Sequence, residues 1–188
     1  MAGHPGIEAR EIRTLLQHQV DGVLYATWYH RTISVPVMLR RSPVVLLDCT
    51  SEDRGLASVV PNEYRAGYQA TQELIRHGHR RIGFVTNIED VPATSGRLRG
   101  HRDAFHGTIT AFREELVAVD VSETLGGYRT ALQLLTGADR PTAIFAYNDR
   151  MAMAVYRAAR ELGLEIPRDI SVVSIDNQET SPTVCTPV

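Results

Sequence analysis

The sequence predicts an α/β fold in which helices cover parallel sheets. Short apolar runs alternate with segments of helical periodicity along the 188 residues. The runs are continuously apolar, as in "PVVLL" at residues 43–47, and this pattern is typical of strands that are buried on both faces. Because crossovers between parallel strands are right-handed, a doubly wound arrangement is favoured.

The individual elements follow from periodicity and from their end signals. Helices are predicted where apolar residues recur at helical spacing, at residues 7–19, 63–77, 97–106, 123–135 and 150–162. Strands are predicted at the apolar runs, at residues 21–27, 43–48, 57–60, 81–86, 115–119, 142–147 and 169–176. A helical or irregular piece is expected between the first two strands. Asn62 suits the N-cap of the second helix, and Gly78 and Gly163 are typical stop signals.

Composition and charge exclude several classes of protein. The chain is 43% hydrophobic and 22% charged, with a formal net charge of -2, which argues against a large basic surface for nucleic acid. The basic groups at residues 76–81 and 96–102 are interpreted as solvated faces. The only cysteines, Cys49 and Cys185, lie far apart, which fits a reducing compartment. No apolar run has membrane-spanning length and no leader is recognisable, so a cytoplasmic protein is predicted.

Polar side chains follow three of the predicted strands, where ligands bind in open parallel sheets. They are Asp48, Asn148 and Asp176, and Arg97 falls near the start of the helix after another strand. Carboxylates, an amide and a guanidinium suit a small ligand that is rich in hydrogen-bonding groups. The alternative is local structure, because Asp and Asn also favour turns and helix caps. Asp149 is interpreted as a cap, whereas Asn148 and Asp48 fit either role.

Motifs for enzymatic chemistry are not found in the sequence. There is no G-x-G-x-x-G after a strand, no Walker loop and no G-x-S-x-G elbow. His77 and His79 flank a glycine without a neighbouring cluster that completes a metal shell, so surface or turn histidines are expected. We therefore predict a protein that is not an enzyme and that needs neither a metal nor a cofactor.

Three segments resemble one known family. They are "LIRHGHRRIGFVT", "GRLRGHRDAF" and "RPTAIFAYNDRMAMAVYRAARELGLEIPRDISVVSIDN". In this order they resemble the effector-binding domain of the LacI/GalR family of bacterial transcription regulators, and the likeness covers nearly the whole chain. The resemblance implies a two-lobed fold of the type I periplasmic-binding-protein kind, with an effector bound between the lobes. The effector implied by default is a sugar or sugar phosphate, with a nucleobase as the alternative. It places Arg97, Asn148 and Asp176 on ligand-binding positions of the family and Asp48, less directly, on another.

The resemblance also implies an organisation into lobes. Residues 1–78 would form a partial amino-terminal lobe, residues 79–177 the carboxy-terminal lobe, and residues 178–188 the start of a crossover back. The family reads operator DNA through a helix-turn-helix that this sequence lacks, so a domain truncated at both ends is expected. A homodimer is implied as well. The alternative function is a sugar-binding protein of a transporter, which shares the fold.

Two substitutions depart from the family pattern. Ser122 occupies a place where many members carry an aromatic residue that stacks on the ligand. Ser174 replaces the usual glycine two residues before Asp176. The first change predicts the loss of a stacking surface for the effector, and the second is a smaller local change.

Overall fold

A computed structural model describes residues 5–52 and 55–178 of the chain. Within it the chain divides into two compact units, the first comprising residues 1–61 and the second residues 62–188. Each unit is built on a parallel sheet, so the predicted α/β class is confirmed. The predicted crossover at residues 178–188 lies, from residue 179 onward, outside the described residues.

The first unit is a three-stranded sheet with one helix. Its elements are α1 (Pro5–Gln17), β1 (Val23–Ile33), a 3₁₀ turn (Val37–Leu39), β2 (Val44–Ser51) and β3 (Ala57–Val59), and the strand order is β1-β2-β3. Its core contains Ile12, Leu39, Leu46 and the fully buried thiol of Cys49.

The first strand is longer than the sequence predicted. Residues 28–33 were expected to be helical or irregular, but they continue β1. After a register shift, Arg31 and Ile33 pair with Cys49 and Ser51 of β2. β-Branched and aromatic residues favour extended backbone, and the segment Thr27–Ile33, "TWYHRTI", is rich in them. The periodicity of "VLYAT" alone did not reveal this extension.

The second unit is a four-stranded doubly wound sheet. Its strands are β4 (Ile82–Asn87), β5 (Val117–Asp120), β6 (Ala143–Ala146) and β7 (Ser171–Val173), in the order β5-β4-β6-β7. Its helices are α2 (Glu63–Arg76), α3 (Pro92–Asp103), α4 (Thr124–Leu135) and α5 (Asp149–Glu161). Helices α2 and α3 pack together, as do α4 and α5. The core between these layers includes the stacked rings of Phe84 and Phe145, whose centroids are 4.5 Å apart.

Helices α2 and α3 approach so closely that their backbones meet. A Cβ atom on Gly67 would lie 2.3 Å from the carbonyl oxygen of Arg97, and one on Gly100 would lie 2.2 Å from that of Tyr64. Any side chain at these two positions would force the helices apart. The glycines therefore fix the distance between the start of α2 and the middle of α3.

The unit boundary differs from the predicted one. The sequence placed it at residue 78, after α2, whereas the structure places it between Pro61 and Asn62. The reason is the packing of α2, which contacts α3 and belongs to the second unit. Helix α3 also begins five residues earlier than predicted, at Pro92. Proline is well suited to the first helical turn, where its missing N–H costs nothing.

His79 connects three strands at the amino edge of the second sheet. Its Nδ1 lies 3.0 Å from Thr142 Oγ1 and its Nε2 lies 3.0 Å from Ser171 Oγ. From the connection between α2 and β4 it therefore joins the starts of β4, β6 and β7. Within the described part of the chain, no helix is long and apolar enough to cross a membrane.

Candidate functional site

The strand order of the second sheet defines one crevice at its carboxyl edge. From β4 the chain crosses to β5 on one side, and it then returns to β6 on the other side. The connections that leave β4 and β6 therefore diverge, and such switch points are where open α/β sheets bind ligands. Helix α3 follows β4, α5 follows β6, and residues 174–178 follow β7. Three of the four predicted site residues, Arg97, Asn148 and Asp176, come from these connections.

Arg97 is buried at this edge in an ion pair that the sequence did not reveal. Its Nε donates to Glu63 Oε2 at 2.8 Å, and the two side chains are only 9% and 6% exposed. Glu63 is the first residue of α2, after the N-cap Asn62, whose side chain accepts from Arg65 N. Its carboxylate therefore also lies at the favourable end of a helix dipole.

Arg97 makes two further contacts through Tyr147, directly after β6. Its Nη1 donates to the Tyr147 carbonyl oxygen at 2.5 Å, and the guanidinium carbon lies 4.5 Å from the centre of the Tyr147 ring. Among the described residues, none accepts a hydrogen bond from Nη2. Two of the three nitrogens are thus used within the protein, and the guanidinium is held by groups from α2 and from the end of β6.

Asn148 caps α5, a role that the sequence had assigned to Asp149. Its Oδ1 accepts from Met151 N at 2.9 Å, and its Nδ2 donates to the Ser122 carbonyl at 3.2 Å. The side chain ties the start of α5 to the segment before α4. The prediction that Asp149 is the cap was wrong because the helix begins at Asp149 itself. A ligand-binding role for Asn148 stays a prediction.

Asp149 is instead a buried carboxylate that holds the segment after β7. It is 2% exposed. Its Oδ1 accepts from Ser174 Oγ, and its Oδ2 accepts from Gln178 N at 2.7 Å. The two bonds bracket Asp176, which lies three residues beyond the end of β7 rather than within the strand as predicted.

The Asp176 carboxylate lies in a field of several charges. Its pKa is raised, chiefly because the surrounding protein removes part of its water. The carboxylates of Asp149 and Glu63 raise this pKa further, whereas the guanidinium groups of Arg97 and Arg150 lower it. The Asp176 backbone has a φ of 115° and that of Asn177 a φ of 56°, conformations that side-chain-bearing residues rarely adopt.

Asp48 belongs to the first unit and is described separately. The sequence placed it at the end of a strand, but β2 continues to Ser51 and Asp48 lies inside it. It sits where the pairing of β1 and β2 shifts register, with a φ of 55°, and its carbonyl accepts from Thr27 Oγ1 at 2.8 Å. This irregularity within a strand is why the end was misplaced. A ligand-binding role for Asp48 stays a prediction.

Within residues 5–52 and 55–178 no group of three or more His, Cys, Asp or Glu side chains is arranged to hold a metal ion. The arrangement at the switch point is instead one of hydrogen-bonding groups. Glu63 and Tyr147 were missed by sequence reasoning because each resembles ordinary local structure, an acidic first helical turn and the end of an apolar strand. The sequence signal that could have pointed to Glu63 was the N-cap Asn62, because it fixes where α2 begins.

Comparison with known proteins decides the family. The profile of the family described as periplasmic binding proteins and the sugar-binding domain of the LacI family matches residues 1–185. The chain belongs to this family. The LacI-type resemblance of the sequence is thereby confirmed.

Several LacI-type repressors are similar to this chain. The repressor PurR of Pectobacterium carotovorum is 34% identical over 175 residues, 92% of this chain and 51% of the relative. The ribose operon repressor of Haemophilus influenzae is 30% identical over 188 residues, 95% of this chain and 56% of the relative. The chain thus spans about half the length of these curated LacI-type relatives.

Solved structures show the same LacI-type fold. A LacI-family transcriptional regulator from Rhizobium etli superposes with a TM-score of 0.78 at 32% identity, covering 94% of this chain and 65% of that chain. The regulator CelR in complex with cellobiose superposes with a TM-score of 0.72 at 30% identity, covering 95% of this chain and 55% of that chain.

Proposed function

We propose that this chain is the effector-sensing domain of a LacI-type transcriptional regulator and that its effector is small, uncharged and rich in hydroxyl groups. The carrying observation is the convergence of Arg97, Glu63 and Asp176 at the switch point of the second sheet. The repressor relatives and the cellobiose complex of CelR support the regulatory function and the sugar-like ligand class.

The charges around Asp176 favour an uncharged ligand. Three carboxylates, those of Glu63, Asp149 and Asp176, share this edge with the guanidinium groups of Arg97 and Arg150. An anionic ligand would meet more negative than positive side chains. Carboxylates accept hydrogen bonds from hydroxyl groups, which a sugar supplies.

Arg97 keeps hydrogen-bond donors for a ligand. A planar guanidinium binds phosphate or carboxylate groups through two parallel N–H donors. Here Nε donates to Glu63 and Nη1 to the Tyr147 carbonyl, so two of its five N–H donors are used within the protein. The other N–H groups, on Nη1 and Nη2, can donate to hydroxyl or ether oxygens of a ligand.

Regulation follows if the effector distinguishes two conformations of the full-length protein, because only differential affinity shifts such an equilibrium. We propose that operator DNA is bound through a separate segment of that protein and that it acts as a homodimer. The transporter alternative is less favoured, because the similar proteins named above are regulators.

A matched ligand pair tests the proposal. Thermal unfolding and calorimetry of the chain are measured with D-ribose, cellobiose and adenine, and with D-ribose 5-phosphate as the anionic counterpart of ribose. We expect D-ribose or cellobiose to raise Tm, by the equivalent of about 2.7 kcal/mol at 100 times its Kd, and Asp176→Asn to weaken its binding by at least about tenfold. Asp169→Asn, which alters a carboxylate in another turn, is the control. Binding of only the phosphate ester, or of only adenine, would refute the ligand class, and binding of none would contradict the effector function for this panel.

A further inference from the structure

The segment 174–178 is tied at both ends to a single buried carboxylate. Ser174 Oγ donates to Asp149 Oδ1, and the backbone N–H of Gln178 donates to Asp149 Oδ2 at 2.7 Å. Asp149 is the first residue of α5, so the carboxylate is also stabilised by the helix dipole. The Asp149 side chain is 2% exposed. Water therefore competes little for its two hydrogen bonds.

Two residues between these two ties have unfavourable backbone conformations. Asp176 and Asn177 have φ angles of 115° and 56°. Asn tolerates the left-handed region, but the Asp176 angle is costly for any residue with a Cβ atom. Such a conformation persists only where surrounding contacts impose it. The contacts at hand are the two hydrogen bonds to Asp149.

We propose that Asp149 and Ser174 form a latch that holds residues 174–178 in this strained conformation and so positions the Asp176 carboxylate at the switch point beside Arg97. Asp149 and Ser174 are positioning residues in this arrangement, since their hydrogen-bonding atoms are committed to each other and to Gln178. The role of the latch in ligand binding rests on the proposed function, whereas the latch itself does not.

The charges around Asp176 make its titration a reporter of the latch. Partial loss of water raises the Asp176 pKa, Asp149 and Glu63 raise it further, and Arg97 and Arg150 oppose them. Release of the segment would return the carboxylate to water and lower its pKa toward the ordinary value for aspartate, about 3.9. Ser174→Ala removes one tie and leaves all of these charges in place, so it is the decisive variant.

The first experiment needs no ligand. Hydrogen exchange of the 188-residue chain is followed by mass spectrometry, and the Asp176 pKa by NMR, in the wild type, Ser174→Ala and Asp149→Asn. Amides of residues 174–178 should exchange at least about tenfold faster in both variants. The Asp176 pKa should fall in Ser174→Ala. Asp169→Asn, whose carboxylate accepts from Glu165 N in another turn, should leave both readouts unchanged.

Each outcome decides the proposal. Faster exchange confined to residues 174–178 together with the lowered Asp176 pKa supports the latch. Unchanged exchange in both variants, an unchanged Asp176 pKa in Ser174→Ala, or faster exchange spread evenly over the second unit overturns it.

The second experiment separates the latch from the proposed function. Any compound among D-ribose, cellobiose and adenine that binds the wild type should bind Ser174→Ala about tenfold more weakly. Unchanged affinity in that variant overturns the positioning role. If none of these compounds binds the wild type, the proposed function fails for this panel, and hydrogen exchange and the Asp176 titration still decide the latch.

Discussion

Breaking the buried ion pair of Arg97 should destabilise the second unit strongly. In Arg97→Met the Glu63 carboxylate stays buried but loses its guanidinium partner, and the Tyr147 carbonyl loses a donor. Opposite charges about 4 Å apart attract by about 4 kcal/mol at an effective dielectric constant of about 20. Removal of one partner from a buried pair costs about 3 to 5 kcal/mol. Because both side chains are less than 10% exposed, solvent screening reduces this cost little.

The chain supplies a closely matched control for Arg97. Arg157 also donates through Nε to a glutamate, Glu161 at 2.9 Å, and also stacks over a tyrosine ring. Its side chain is 58% exposed, however, and that of Glu161 is 43% exposed. Arg157→Met should therefore cost less than about 1 kcal/mol. The difference between the two variants isolates the effect of burial.

Urea unfolding followed by far-ultraviolet circular dichroism measures these changes, and hydrogen exchange of α2 and α3 assigns them to the second unit. With an m value of about 2 kcal/mol per molar, Arg97→Met should lower the midpoint by about 2 M. The double variant Glu63→Leu with Arg97→Met should recover most of the loss, because neither partner of the ion pair is left buried without the other. A cost below about 1 kcal/mol for Arg97→Met, or a double variant as unstable as the sum of the singles, would refute this reasoning.

Two further outcomes are expected. The pKa of His101, buried beside Phe84 and bonded to Thr71, is lowered to about 3 by burial and by the charge of Arg102. Between about pH 6.5 and pH 3 only the unfolded chain binds this proton. The stability contribution should therefore be fully present above about pH 6.5 and should fall within this window by up to about 1.4 kcal/mol per pH unit as the pH is lowered. In His101→Phe, urea unfolding at several pH values should show a free energy of unfolding that depends less steeply on pH. The same pH dependence as in the wild type would contradict the lowered pKa of His101. Asn148→Ala should cost about 1 kcal/mol and lower Tm by about 2 to 4 °C, whereas Asn148→Asp should retain the cap; an unchanged Tm in Asn148→Ala would disprove the capping role.

The pattern of apolar residues was sufficient to predict the layered α/β fold from the sequence. The two central strands of the second sheet, β4 and β6, are buried at every residue, and their apolar runs, such as the one containing Phe145, appear in the sequence without interruption. What patterning missed are interactions between distant residues. The packing of α2 with α3 depends on Gly67 and Gly100, and neither glycine signals in sequence which helix it will meet. For this reason the compact units divide between Pro61 and Asn62 and not at the predicted residue 78.

The candidate site was predictable in its location but not in its bonding. The rule that ligands bind beyond the carboxyl ends of strands selected Arg97, Asn148 and Asp176 from the sequence. It could not distinguish the roles of Asn148 and Asp149, because both residue types cap helices and their difference is one position in the backbone. Nor could it identify Glu63, which lies 34 residues before its partner Arg97.

The buried thiol of Cys49 makes the first unit measurable on its own. Cys49 is fully enclosed, so a reagent can modify it only when that core opens. In a Cys185→Ser variant it would be the sole thiol of the chain. Its modification rate under native conditions would then give the frequency of opening in the first unit, while amide exchange at Phe84 or Phe145 reports on the second. The opening rates of the two units could thus be measured separately in one sample.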